Sequence, residues 1–461
     1  MSALALAFHK KGYKVTGSDK GIYPPISTYL KNAGVEYYTG WHPEKMGTPD
    51  LVVVGNVAGS TNPEWLYVQE NNIPYKSYPE VVGEFFVADN SIVCAGTYGK
   101  TTSSSILTWV LKDNGFDPSY MFGGISLNDI PAAELTESKY SILEGDEYKS
   151  ARWDNGPKFA HYSPTHLLLT SVVWDHADVY PTEQSYVDAF AGLLKNIPEN
   201  GLVVLSAKVT HDRPELAELV KSKVITYGKT PDNDYQYINV KTTKDGTTFD
   251  IIIKSQGNDL KPKTYNLATS SLGDYMADNI TGCFAMAHQI GIEPEAIIKS
   301  LKTFKNIKRR LEKRYSNGVT VFDDIAHSPK KAEAVLASIK NIYNGKVIAI
   351  FEPNGGNRLQ ESIPGYDKKF ISTDEVIIPR LTSIKQDPTK PKNLDGQDLT
   401  DVISKTHDNT KYIDDDEKLI NYLVENTNKG DVVIFLGSHG FRGMIDSLIN
   451  AYKADKADNA L

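Results

Sequence analysis

Ala95-Gly96-Thr97-Tyr98-Gly99-Lys100-Thr101-Thr102 follows the apolar run Ser91-Ile92-Val93-Cys94-Ala95 and precedes the helix-forming stretch Ser104–Lys112. A buried strand, a glycine loop and a helix, in that order, are the context in which such a loop binds phosphate. Small residues at a helix start let backbone N–H groups close around phosphate oxygens, which makes Gly96, Thr97, Gly99 and Thr102 candidate binding positions. Lys100 adds a point charge, and Thr101 an oxygen suited to Mg²⁺. The common form of this loop has a glycine where Cys94 stands, so the match is to a compact variant. The competing reading, a glycine turn with a surface lysine, is disfavoured by Gly-Lys-Thr-Thr in this setting.

Two more strands end in ionisable groups. Tyr140-Ser141-Ile142-Leu143 runs into Glu144, Asp146 and Glu147, and His166–Val173 runs into Trp174-Asp175-His176-Ala177-Asp178. Carboxylates at the carboxyl ends of parallel strands face the crevice where ligands bind, and hard oxygens suit Mg²⁺. Taken singly, each group is read as a polar strand exit or a hydrogen-bonded pair. Convergence of three strand ends on one phosphate loop makes a metal-phosphate site the better account. Arginine is scarce, eight against 42 lysines, yet Arg309, Arg310 and Arg314 cluster near a domain junction. A planar, permanently charged fork suits a phosphoryl group in transfer. Asp323-Asp324-Ile325-Ala326-His327-Ser328-Pro329 follows a strand and starts a helix, and reads equally well as a cap.

The rest of the chain is ordinary. It has 461 residues, 40% hydrophobic and 23% charged, which excludes disorder and argues for two to four domains, three being expected; alternating strands and helices make the fold class α/β. A net charge of −8 opposes a broad nucleic-acid-binding surface. Cys94 and Cys283 lack partner spacing, which points to a reducing, cytoplasmic setting without a thiolate metal cluster. No apolar run is long enough for a membrane span, and the opening Met1–Phe8 reads as a helix rather than a secretion signal. Strands and helices alternate from the N-terminus, but the first Rossmann-like unit starts inside a helix, so its first strand is expected to be missing. The expected domains are 1–87, 88–314 and 315–461. The alternation of Phe249, Ile251 and Ile253 predicts antiparallel strands at an edge of the central sheet. The acidic run Asp414-Asp415-Asp416-Glu417 reads as a solvated helix start.

In their order, Gly-Thr-x-Gly-Lys-Thr-Thr, Glu-x-Asp-Glu, Asp-His-x-Asp, Arg-Arg-Leu-Glu and Asp-Asp-x-Ala-His-x-Pro, these residues resemble the Mur ligase family, ATP-dependent amide-forming enzymes of peptidoglycan assembly. The resemblance implies an N-terminal Rossmann-like domain for a UDP-sugar, a central ATPase domain and a C-terminal Rossmann-like domain for the amine. It implies that Lys100 holds the β- and γ-phosphates and that Thr101 and Glu144 ligate Mg²⁺, with His176 supporting a metal. Arg310 would contact the γ-phosphate, Asn279 the adenine region, Asp324 the ribose, and His327 would lie near the amine. The implied reaction converts a carboxylate into an acyl phosphate, which the amine attacks.

Tyr23-Pro24-Pro25-Ile26-Ser27, Gly55-Asn56 and the segment Asp146–Tyr162 resemble the branch that joins UDP-N-acetylmuramate to L-Ala-γ-D-Glu-meso-diaminopimelate. The branch that uses L-alanine is the alternative. Tyr98, Ser171 and Tyr275-Met276 depart from the family's His, Asn and His-Asn, and Asn354-Gly355-Gly356-Asn357 from its Arg-Ser-Asn-Thr. Those departures keep open a reading of another class, a non-catalytic nucleotide-binding protein.

Overall fold

The computed structural model describes residues 1–176, 179–254, 261–384 and 392–458. Two compact units emerge. The first holds Met1–Lys241, Thr247–Ser270 and Asp274–Asn306; the second holds Thr242–Gly246, Ser271–Gly273 and the chain from Ile307 onward.

The first unit is organised by a ten-stranded sheet. Strand Asn90–Ala95 lies inside it, parallel to Tyr140–Gly145 on one side and to His166–Leu169 on the other. Ser119–Met121 extends the first side; Leu202–Ser206 and then Lys223–Gly228 extend the second. The centres of these strands are runs of apolar residues because both faces are covered, as parallel sheets require. Ile92, Cys94, Ile142, Leu168 and Val204 face Ile106, Leu107, Ile280 and Phe284 of helices Lys100–Asp113 and Asp274–Gln289. Their neighbours Val93, Ala95, Leu143, Leu167 and Val203 face the other way, onto Leu4, Val81, Phe86, Tyr186 and Phe190. The N-terminal helices thus share a core with the central sheet.

The N-terminal strands form two separate parallel pairs, Thr16–Asp19 with Glu36–Thr39 and Val52–Val54 with Tyr75–Ser77. The helices between them are capped from the sequence: Asn62 accepts from the N–H groups of Glu64 and Trp65, and Ser77 forms a reciprocal box with Glu80. At the far edge of the large sheet, Gly246–Ile253 pairs antiparallel with Lys263–Thr269, as the alternation of Phe249 and Ile251 predicts.

The second unit carries a six-stranded sheet in the order Glu312–Asn317, Val319–Asp324, Val432–Gly437, Val347–Glu352, Glu375–Pro379, Thr410–Ile413. All neighbours are parallel except the first hairpin. The chain enters this sheet at Glu312, ahead of the boundary expected after Arg314.

Candidate active site

Strand order places the phosphate loop. The strands beside Asn90–Ala95 come from later in the chain on both sides, so the loop leaving Ala95 opens at a switch point of the sheet, where ligands collect. Register then sets Glu144 beside Cys94 and Gly145 beside Ala95. Cys94 is buried, which pushes its thiol up to about 12 and leaves it inert.

The loop is clamped from the strand end at 166–169. Thr170 Oγ1 donates to the carbonyls of Ala95 (3.1 Å) and Tyr98 (2.5 Å). Thr97 N–H donates to Ser171 O at 3.0 Å and Tyr98 N–H to Ser171 Oγ at 3.1 Å. Thr97 Oγ1 joins Val173 N and O and the Tyr186 hydroxyl, all within 2.9 Å. Thr97, expected among the phosphate contacts, therefore anchors the loop with its side chain and its N–H. At the helix start Gly99 is the N-cap at φ +83° with no side-chain cap on the N–H groups that follow, which leaves those donors available to an anion.

Two glycines are required here by close approach. A Cβ at Gly96 would lie 2.3 Å from Thr170 Oγ1, and one at Gly99 would lie 2.5 Å from Asn279 Oδ1. Asn279, expected toward the adenine, thus packs against the phosphate loop. Thr102 is buried at the start of the helix.

The acidic strand end divides its labour. Glu144 Oε1 accepts from Thr101 Oγ1 at 2.6 Å, and Oε2 accepts from Gly123 N–H at 2.5 Å. Lys100 turns instead to Glu147, at 2.8 and 3.0 Å from its two oxygens, and to the carbonyl of Gly96 at 2.7 Å. Glu147 is 1% exposed and is also approached by Tyr186 Oη at 3.4 Å and His176 Nε2 at 3.6 Å. His176, expected to support a metal, is therefore directed at Glu147, with its ring edge-on to Tyr148. Ala177 and Asp178 of that motif lie outside the described residues. Burial would push the Asp146 carboxyl up, but Lys158 at 2.5 Å and the Tyr148 N–H outweigh it and hold it below the usual range.

Among the described residues no three His, Cys, Asp or Glu side chains form a metal-holding group. The adjoining oxygens of Thr101 and Glu144 could serve a divalent ion only if oxygens of a bound nucleotide and water completed the set, which is how Mg²⁺ is usually held. The uncapped helix start, the clamped glycines and this pair of oxygens fit a nucleotide with its ion.

In the second unit, Arg309 is tied into the fold at the end of strand Val319–Asp324. It reaches Asp323 at 3.1 Å and the carbonyls of Gly437, Ser438 and His439 at 2.5, 3.0 and 2.8 Å. Arg309 and Leu311 both have positive φ, which fixes the course of the chain on either side of Arg310. Asp324, expected at the ribose, accepts from the N–H groups of Leu311 (2.7 Å) and Ala326 (2.8 Å) and so clamps this bend. Burial pushes its carboxyl up against the pull of those two donors. His327 Nδ1 lies 2.8 Å from the carbonyl of Ile325, a pure acceptor, so in the neutral ring Nε2 carries the lone pair.

Sequence reasoning singled out Lys100, Thr101 and Glu144, of which the structure pairs the last two, but it missed Glu147 as the partner of Lys100 and missed Thr170, Ser171 and Tyr186 as the clamp. Glu147 was visible only as the third acid of a run. Thr170 and Ser171 carried no motif.

The fold and this site define a nucleotide-using ligase, and family comparison says which kind. Residues 1–89 match the Mur ligase family catalytic domain, 94–287 the Mur ligase middle domain and 309–439 the Mur ligase glutamate ligase domain. The chain belongs to the Mur ligase family, whose members are ATP-dependent ligases. It is 30% identical over 473 residues to the UDP-N-acetylmuramate–L-alanyl-γ-D-glutamyl-meso-2,6-diaminoheptandioate ligase of Escherichia coli K12, covering 100% of this chain and 97% of that one. It is also 30% identical to the UDP-N-acetylmuramate–L-alanine ligase of Bartonella henselae, over 95% of this chain and 90% of the relative. A murein peptide ligase from Psychrobacter arcticus superposes with a TM-score of 0.70 at 26% identity, covering 98% and 96% of the two chains.

Proposed function

We propose that this ligase joins the carboxyl group of UDP-N-acetylmuramate to the free amine of L-Ala-γ-D-Glu-meso-diaminopimelate, consuming ATP. The carboxylate takes the γ-phosphoryl group to give an acyl phosphate; the amine then forms the C–N bond and inorganic phosphate leaves. ADP and phosphate are the other products. A nucleotide sugar and ATP as substrates place the reaction in the cytoplasm.

The observation that carries this reading is the meeting of Lys100, Thr101, Glu144 and Glu147 around one uncapped helix start. Phosphoryl transfer between two anions is governed by charge neutralisation and positioning, and these groups supply both. Lys100, held by Glu147 until nucleotide arrives, answers the terminal phosphates. Thr101 and Glu144 would hold Mg²⁺, which when bound offsets charge growing on the transferred group. His176 positions Glu147. By family likeness, Arg310 would contact the γ-phosphate, while Asp324, its two oxygens held by Leu311 and Ala326, would shape the bend that carries Arg310. His327, with its lone pair on Nε2, accepts a proton from the incoming amine.

The test is phosphate release from ATP with UDP-N-acetylmuramate and either the tripeptide or L-alanine. Turnover with the tripeptide that disappears in Lys100→Ala is expected. Turnover with L-alanine alone would favour the reading suggested by the Bartonella relative. ATP binding without turnover on either amine would reject both.

A further inference from the structure

A cleft of about 280 Å³ opens beside the phosphate loop, bordered by Asn56, Tyr78, Glu144, Asp146, Ser150 and Lys158. Two of these side chains are carboxylates, and a third carboxylate, Glu147, stands behind them paired with Lys100. An acid substrate entering here meets like charge, which costs affinity unless a cation receives it. Lys158 is the only cationic side chain among the described residues lining the cleft.

Its placement is built rather than incidental. Lys158 opens the short helix Lys158–His161, and its own N–H bonds Tyr148 O at 3.1 Å. The segment between them folds back on itself: Ser150 N–H meets Gly156 O at 2.9 Å, and Gly156 N–H meets Asp154 Oδ1 at 2.8 Å. Trp153, at the tip, stacks on Trp65 of helix Pro63–Glu70 with ring centres 5.2 Å apart, and the Arg152 guanidinium lies 5.0 Å from the Trp65 ring centre. The lysine is thereby delivered by a pinned loop, with its side chain 16% exposed and its ammonium 2.5 Å from Asp146. An ammonium has three donors, so the pair with Asp146 orients Lys158 without saturating it.

We propose that Lys158 receives the substrate's carboxylate and positions it for attack on the terminal phosphate, with Asp146 as the group that aims the lysine. This rests on the reading above that the acid substrate is UDP-N-acetylmuramate. The Mg²⁺ ligands then need not bind the acid unaided, and UDP-sugars lacking a carboxylate are discriminated against by the absence of this contact.

The experiment compares UDP-N-acetylmuramate with UDP-N-acetylglucosamine, which lacks the carboxylate, by calorimetric titration of the full chain. For Lys158→Met, affinity for the acid should fall about tenfold or more, while affinity for UDP-N-acetylglucosamine and the KM for ATP stay within about twofold. Lys158→Arg should restore most of the loss and melt with the parent, whereas Lys158→Met melts lower because Asp146 loses its partner, so binding is titrated well below that transition. Equal weakening of both sugars, or no change for the acid, would overturn the assignment. A parent chain that does not distinguish the two sugars, while still releasing phosphate with a different acid, would overturn the functional reading, and the role of Lys158 with it.

Discussion

Replacing Gly99 by alanine separates two costs that the structure keeps apart. One is conformational: φ at Gly99 is +83°, a region in which an L side chain costs about 1–2 kcal/mol. The other is steric, since the new Cβ would stand 2.5 Å from Asn279 Oδ1, on a side chain buried in the helix Asp274–Gln289. Gly115 supplies the baseline: its φ is +77° and nothing lies within 4 Å of its Cβ position, so Gly115→Ala carries the first cost alone. Gly99→Ala should therefore destabilise by about 1–2 kcal/mol more than Gly115→Ala, in the range of overpacked sites. Asn279→Ala removes the obstacle, so the double variant Gly99→Ala/Asn279→Ala should be more stable than the sum of the single changes requires. Gly96→Ala should be worse than either, because its Cβ meets Ser171 backbone N and O at 2.9 Å as well as Thr170 Oγ1 at 2.3 Å. Urea unfolding of the five variants, with ATP binding measured on each, gives the comparison. Equal costs at Gly99 and Gly115, or strict additivity with Asn279→Ala, would refute the packing argument.

Other perturbations reach different parts of the molecule. Glu144→Ala should raise the Mg²⁺ concentration for half-maximal activity while leaving melting nearly unchanged, because it removes an ion ligand at a partly open site; an unaltered Mg²⁺ titration counts against the ligand role. Thr97→Val should lower affinity for ATP by loosening the loop, since three bonds to Val173 and Tyr186 are lost together, and a binding isotherm identical to the parent would show the clamp to be dispensable. The carboxyl of Asp416 is pulled down to about 2 chiefly by the Arg442 hydrogen bonds, with Arg380 adding to them. A depressed folded-state pKa adds stability above the unfolded-state value near 4, and that gain fades as pH falls toward 2. Asp416→Asn should therefore cost up to about 1 kcal/mol at pH 7, a surface-pair magnitude, and progressively less as the pH falls from about 4 through about 2. A cost independent of pH would exclude the ion pairs as its source.

The acidic run at Asp414–Glu417 shows how a local reading falls short. As a helix start it is correct, with Asp415 capping Asp416–Asn426. Its third aspartate, Asp416, however, is clasped by two arginines from 36 positions before and 26 after it, a fact that no window of sequence contains. The two-faced strands were legible because burial on both sides demands unbroken apolar runs. The N-terminal stretch was read as its own domain, yet its helices contribute Leu4, Val81 and Phe86 to the core under the central sheet.

What the sequence by itself determined is the phosphate loop and the strands that frame it, since strand, glycine turn and helix each follow from side chains a few positions apart. Tertiary structure alone decided which carboxylate serves which partner. Strand register turned Glu144 toward Thr101, but beyond the strand's end the side chains no longer alternate, so the path of the loop turned Glu147 toward Lys100 and Asp146 toward Lys158. The phosphate loop is likewise held from a distance: Thr170, Ser171 and Tyr186 lie some 70 to 90 positions downstream of the residues they restrain.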